Sequence, residues 1–177
     1  MSGIINSAGS KSGIIGEMGL GLSNVTFFTI LAKDTVQEGK IENWNDPTTP
    51  ISNGGSVGKL VSESAGVFTL PSYGIWQINA VFNVYQHTGD NWFAVALWQS
   101  NGTPVEIVNS WGGIDGQNDE QINSLNIHHI INATGNTFEF RTRSVSGGSY
   151  VLGTTDWNAG IYNSTVTFMK LGNSSSS

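Results

Sequence analysis

The sequence contains no cysteine among its 177 residues. This absence excludes a disulfide framework, a thiolate zinc site and a cysteine nucleophile. The fold must therefore be stabilised by its own hydrophobic core or by association with other chains. A single domain of this length buries roughly 70% of the surface that its unfolded chain exposes, so a sizeable core is possible.

Charged residues are also scarce, at 11% of the sequence, compared with about 25% in typical globular proteins. Seven Lys and Arg against thirteen Asp and Glu give a net charge of −6, and no Lys or Arg lies between Lys59 and Arg141. Nucleic-acid surfaces need clustered Lys and Arg, and anionic membranes attract the same residues. We therefore predict no nucleic-acid partner and no membrane partner.

Long apolar runs are missing as well. No run of 18 apolar residues is available to span a membrane, and we expect no secretory signal. Residues 1–23 are rich in Gly and Ser, which opposes a helix, but their isoleucines are unusual for a flexible linker. A disordered leader is one interpretation, and an extended arm that docks on a larger particle is the other. We predict an anchoring arm that uses its apolar residues, which are Ile4, Ile5, Ile14, Ile15, Met18, Leu20 and Leu22.

The remaining chain shows the pattern of β-strands. Short β-branched and aromatic segments alternate with turns, and no segment has a capped helical period. In 75–86, the clearest strand, apolar residues recur at every second position. We predict an all-β fold, an antiparallel jelly-roll sandwich of about ten strands, over residues 24–172, followed by a Ser-rich tail at 173–177.

The segment 92–98 is apolar on both of its predicted faces. Successive strand residues point to opposite sides, so Phe93, Val95 and Leu97 share one face, and Trp92 and Trp98 lie on the other. The first face fits the core of a sandwich. The second must be covered by something else, for which another subunit is the expected source. The candidate residues of this subunit interface are Trp92, Trp98 and His129.

Residues 66–84, GVFTLPSYGIWQINAVFNV, resemble the globular head of the complement-component and tumour-necrosis-factor-like superfamily. The family pattern is G-x-F-x-x-P-x-x-G followed by two aromatic positions. The matching residues here are Gly66, Phe68, Pro71 and Gly74, with Trp76 and Ile78 at the aromatic positions. The resemblance extends over roughly residues 24–171, although Ala159-Gly160 replaces the family's S-F-S-G. It implies a ten-strand TNF-like jelly roll and a homotrimer whose subunits pack edge to face around a three-fold axis.

The arm has a resemblance of its own. Its segment IINSAGSKSGIIG is similar to N-terminal segments in structural proteins of marine bacteriophages, where such segments precede tail-fibre or capsid-surface domains. This resemblance implies that the arm attaches a β-rich trimer to a virion.

No motif indicates an enzyme. The nucleophile elbow G-x-S-x-G is absent, and the adjacent His128 and His129 point to opposite sides of a predicted strand, so we expect no catalytic residue and no metal. Calcium is the one cofactor with a suitable loop, because carboxylate and amide oxygens are its ligands. The loop residues are Asp115, Asn118, Asp119 and Glu120.

Tryptophans next to polar loops suggest binding surfaces. Trp44, Trp111 and Trp157 adjoin segments rich in Asn, Asp and Gly. Such aromatic residues anchor protein interfaces, and they also cover the apolar faces of sugars. We predict outward binding loops that contain Trp111, Asp115, Asn118, Asp119 and Trp157.

Together these features predict a non-enzymatic structural protein on the surface of a bacteriophage virion, either a capsid decoration protein or a fibre or spike component. The arm would bind other virion structural proteins, and the homotrimeric jelly roll would face outward, where its loops stabilise the shell or contact a host receptor such as a surface glycan. The main alternative is a soluble lectin-like module. A small glycan-active enzyme that uses the acidic loop is a further alternative.

Overall fold

Every regular element that the computed structural model describes is a β-strand. The described residues are 24–32, 39–45, 56–57, 61–87, 92–113, 121–133, 137–143, 148–154 and 164–173. They contain eleven strands: β1 (Val25–Thr29), β2 (Ser56–Val57), β3 (Ser62–Ser64), β4 (Val67–Thr69), β5 (Gly74–Gln86), β6 (Trp92–Gln99), β7 (Val105–Gly113), β8 (Gln121–Ala133), β9 (Thr137–Arg143), β10 (Tyr150–Val151) and β11 (Thr165–Gly172).

The strands form two antiparallel sheets. Sheet I has the order β8-β5-β11-β1-β2, and the short strand β10 pairs with the end of β5 beyond β11. Sheet II has the order β3-β4-β9-β6-β7. The longest pairing joins β5 to β8 from Gly74↔Ala133 to Gln86↔Gln121. Within sheet I the first strand lies beside the last one, because β1 pairs with β11. The predicted all-β, antiparallel jelly-roll sandwich is confirmed.

Strand β5 shows why the period-two pattern predicted its environment. Burial alternates along all 13 residues of the strand. Trp76, Ile78 and Phe82 are fully buried between the sheets, whereas Gln77 and Asn79 lie on the outer face of sheet I. The alternation matches the pleat of a strand that is packed on one side only.

The core is an aromatic layer centred on Phe68 of β4. Its ring lies 5.0 Å from Phe28, 5.1 Å from Trp44, 5.8 Å from Phe140 and 5.0 Å from Phe168, measured between ring centroids. Phe28 and Phe168 belong to sheet I, and Phe68 and Phe140 belong to sheet II. Edge-to-face and tilted ring contacts of this kind add to the free energy of area burial, so this layer holds the two sheets together.

Two glycines of the family-like motif are required by backbone geometry. Gly66 has a φ of 78°, and a Cβ there would lie 2.6 Å from the carbonyl oxygen of Ile41. Gly74 has a φ of 141°, and its Cβ would lie 2.4 Å from the carbonyl oxygen of Gly172. Only glycine adopts these conformations without strain. The backbone conformations at these two glycines allow the following strands to place Phe68 and Trp76 in the core.

Replacing Phe68 tests the importance of the aromatic layer. We expect Phe68→Ala to lower the free energy of unfolding by about 3–5 kcal/mol, because it removes a large buried side chain and leaves a cavity. Denaturant unfolding followed by tryptophan fluorescence measures this change. Tyr73→Ala is the matched control: Tyr73 is 64% exposed, so we expect a change within about 0.5 kcal/mol. Equal effects of the two substitutions would contradict this description of the core.

Candidate functional site on the two outer sheet faces

Two tryptophans form an exposed pair on the outer face of sheet II. Trp92 and Trp111 are 44% and 49% exposed, and their ring centroids are 4.8 Å apart with planes inclined by 33°. The β6–β7 register brings them together, since Trp111 pairs with Ala94 and Trp92 pairs with Gly113. Gly113 has no side chain, so that position on β7 leaves the Trp92 ring uncovered.

A chain of hydrogen bonds orients the Trp111 ring. Its Nε1 donates to Asn109 Oδ1 at 2.7 Å, and Asn109 Nδ2 donates to Glu106 Oε1 at 2.6 Å. The other carboxylate oxygen of Glu106 accepts from Arg143 Nη1 at 2.5 Å. All three bonds lie at the surface. Two of them lie within β7, and the bond from Arg143 to Glu106 joins β9 to β7 across the intervening strand β6.

A second ion pair, between Arg141 and Glu139 of β9, lies beside the other end of β6. The guanidinium of Arg141 lies 5.1 Å from the centroid of the Trp98 ring, and Arg141 Nε donates to Glu139. Ser100 Oγ donates to the second oxygen of Glu139 at 3.2 Å. The Glu139 side chain is 3% exposed, so these bonds compensate a carboxylate that has been removed from water.

The chain itself covers the middle of the outer face of β6, whereas Trp92 at the start of the strand stays 44% exposed. Ala94 and Ala96 are fully buried. In the register, Ala94 lies between Trp111 and Arg143, and Ala96 lies between Asn109 and Arg141. The longer side chains on both neighbouring strands thus close over the small ones. These two alanines therefore need no cover from another subunit, and the expectation that another subunit covers the rest of this face, which includes the exposed Trp92, stays a prediction.

The candidate interface residues lie in three different environments. Trp92 belongs to the exposed pair, and Trp98 is half-buried, with an Nε1 that is buried and has no hydrogen-bond partner in the described part of the chain. His129 is half-buried opposite Ile78, whereas His128 is exposed, with its Nδ1 3.0 Å from Asn79 Oδ1. The adjacent histidines therefore point to opposite faces, as predicted. The interface role of Trp92, Trp98 and His129 stays a prediction.

The candidate loop residues are only partly described. Trp111 lies within β7 rather than in a loop, because the strand continues to Gly113. Trp44 is a core residue, 6% exposed, and its Nε1 donates to the Ile41 carbonyl at 2.9 Å. The following candidates lie outside the described residues: Asp115, Asn118, Asp119, Glu120 and Trp157, together with Ile4, Ile5, Ile14, Ile15, Met18, Leu20 and Leu22 of the arm.

The described ranges contain no group of three or more His, Cys, Asp or Glu residues that could hold a metal ion. Within the same ranges, no helix is long and apolar enough to cross a membrane.

The outer face of sheet I carries apolar residues that the sequence reading missed. Ile75, Ile130 and Leu171 are 37%, 60% and 47% exposed. Ile130 and Met169 flank Gln77 from the two neighbouring strands. In a strand with a period of two, Ile130 lies on the face opposite the buried Ile127, so the sequence of β8 contained this signal.

The rest of this face is polar at its centre and aromatic at its far end. Asn79 Oδ1 accepts from Gln77 Nε2 at 3.1 Å. Beyond this amide pair, the rings of Tyr85 and Tyr150 stack with centroids 4.8 Å apart. The face therefore offers apolar, amide and aromatic groups to a partner in succession.

Comparisons with solved structures identify the fold as a TNF-like jelly roll. A crystal structure of murine APRIL determined at pH 8.0 superposes with a TM-score of 0.59 at 9% sequence identity, covering 84% of this chain and 98% of that one. The structure of Eiger TNF from S. frugiperda gives a TM-score of 0.56 at 12% identity, covering 84% and 92%. No protein-family model and no curated protein matches the sequence. At these identities the similarity establishes the fold alone.

Two glutamates of sheet II, Glu139 and Glu106, allow a direct test of how burial changes the contribution of an ion pair to stability. We expect Glu139→Ala to lower the free energy of unfolding by about 1–3 kcal/mol, because Arg141 and Ser100 lose a buried partner. Glu106→Ala removes an exposed pair and should cost about 0–1 kcal/mol. Urea unfolding of both variants measures the difference. A larger effect at Glu106 would contradict the burial assigned to Glu139.

Proposed function

We propose that this protein is a non-enzymatic structural component of a bacteriophage virion surface, a capsid decoration protein or a fibre or spike component, and that it acts as a homotrimer. The observation that carries the proposal is the outer face of sheet I. Three large apolar residues, Ile75, Ile130 and Leu171, are exposed there, and grouped apolar exposure on a soluble domain marks an interaction surface.

A second copy of the chain is the partner that fits this face best. The family resemblance of residues 66–84 implies a trimer with edge-to-face packing, in which the edge of one sandwich lies against a sheet of the next. Within the described residues, β8 and β2 are the edge strands of sheet I, and β3 and β7 are those of sheet II. The 13-residue strand β8 offers a long edge, and an edge of this length needs protection from uncontrolled pairing.

The virion assignment is supported by the sequence of residues 1–23. Their resemblance to N-terminal segments of marine-bacteriophage structural proteins fits an arm that binds other virion proteins. The net charge of −6 gives no attraction to nucleic acid or to an anionic membrane. With the arm on the particle, the jelly roll is displayed outward, and trimerisation multiplies weak contacts through effective concentration.

A pair of substitutions tests self-association through sheet I. We expect Ile130→Lys to shift the full-length protein from trimer to monomer, because it places a charge at the centre of the proposed interface. Sedimentation velocity measures the change. Val105→Lys is the matched control, since Val105 is 61% exposed and Ile130 60%, but Val105 belongs to sheet II. Dissociation by Val105→Lys alone would contradict the assignment of the interface to sheet I.

Deleting residues 1–23 tests the anchoring role separately. The two sheets and the hydrophobic core between them are formed by residues from 24 onward, so we expect the truncated protein to remain a folded trimer. It should be absent from purified phage particles, as measured by quantitative mass spectrometry, whereas the full chain is present. A full-length variant with Ile4, Ile5, Ile14 and Ile15 changed to Ser separates apolar anchoring from arm length, and we expect it to be absent too. Normal incorporation of the truncated chain would overturn the anchoring role.

A further inference from the structure

We propose that the Trp92–Trp111 pair, together with Asn109, Glu106 and Arg143, is a binding platform for the pyranose ring of a glycan. The sequence reading assigned Trp92 to a subunit interface and Trp111 to a binding loop. The structure places both rings in one cluster, 4.8 Å apart. The proposal does not depend on the virion assignment, because it concerns a surface of the single chain.

The two rings are available to a ligand. Trp92 and Trp111 are 44% and 49% exposed, whereas Trp44 and Trp76 are 6% and 0% exposed in the core. Their position on the outer face of sheet II directs them away from sheet I, since the two outer faces of a sandwich point in opposite directions. Association in which the β8 edge of one copy covers the outer face of sheet I of the next therefore leaves this pair exposed.

The polar groups beside the rings fit the hydroxyls of a sugar. Asn109, Glu106 and Arg143 are joined by hydrogen bonds, but each retains bonding capacity. An amide NH₂ has two donors, a carboxylate has about four acceptor sites and a guanidinium has five donors. A pyranose presents an apolar C–H face for the rings and hydroxyls at its rim. The cluster presents the complementary arrangement, aromatic rings bordered by both donors and acceptors.

Two other classes of ligand fit less well. Protein interfaces are enriched in Trp and Arg but depleted in Glu, and here Glu106 is joined to Trp111 by way of Asn109. Single-stranded nucleic acid also stacks on aromatic rings, but it requires a positively charged groove. Here the charge of Arg143 is compensated by Glu106 at 2.5 Å. A neutral, hydroxyl-rich ligand matches the cluster better than either.

The platform is also preorganised. The bond of 2.7 Å from Trp111 Nε1 to Asn109 Oδ1 limits rotation of the indole, and the fully buried Ala94 lies beneath it in the register. A side chain that is already held in its binding orientation loses little conformational entropy when a ligand arrives. Asn109 accordingly positions the Trp111 ring in addition to contacting the ligand.

Glycan-array binding by the full-length protein tests the proposal, followed by saturation-transfer NMR with the soluble hexasaccharides maltohexaose, laminarihexaose and mannohexaose. We expect at least one pyranose-containing probe to bind, and Trp111→Ala to weaken binding roughly tenfold or more through loss of a stacking contact. Trp111→Phe retains a ring and should retain most of the binding. Tyr73→Ala is the matched control, because Tyr73 is an exposed aromatic residue elsewhere on the surface, and it should bind as the unmodified protein does.

Two results would overturn the proposal. One is the absence of binding to every array glycan and to all three hexasaccharides at concentrations up to about 10 mM. At this concentration even a site with a Kd in the millimolar range would be detected. The other is binding that Trp111→Ala and Tyr73→Ala reduce equally, which would place the sugar elsewhere. Circular dichroism of each variant confirms that a loss of binding is not a loss of fold.

Discussion

The contact of Phe68 with aromatic rings from both sheets is the interaction on which this structure depends. The chain has no cysteine and few charges, so the two sheets are joined chiefly by burial of apolar surface between them. Phe68 contacts Phe28 and Phe168 from the opposite sheet and Phe140 from its own. The backbone geometry of Gly66 places this ring in the layer, and the register of every strand then determines which side chains remain outside.

The two outer faces that result are chemically different. Sheet II carries most of its charge in two ion pairs, Glu106–Arg143 between β7 and β9 and Glu139–Arg141 within β9. Its exposed aromatic surface is confined to one pair of tryptophans. Sheet I instead presents exposed isoleucines and a polar amide centre. A surface with solvent-exposed apolar side chains favours association with another protein surface. A surface whose charges pair with one another and whose aromatic rings are exposed favours a hydroxylated ligand. In this account one sandwich uses the outer face of sheet I for self-association and the outer face of sheet II for binding a glycan.

Much of this fold follows from the sequence, because period-two patterns depend on local residue order. The segment 92–98 agrees with β6 to within one residue, and the alternation predicted for 75–86 is observed along β5. Cross-strand relations are not local, and they account for what was missed. Nothing in the order of residues shows that Arg143 reaches Glu106 over β6, or that Trp92 lies against Trp111. The second face of β6 was therefore interpreted as needing another subunit.

The central claim is that copies of this chain cover the outer face of sheet I. The most direct test is the mass of the full-length protein in dilute solution, measured by multi-angle light scattering. The account predicts a mass of three chains that persists on dilution into the low micromolar range. A mass of one chain at every concentration would contradict it, because the exposed Ile75, Ile130 and Leu171 would then remain in contact with water.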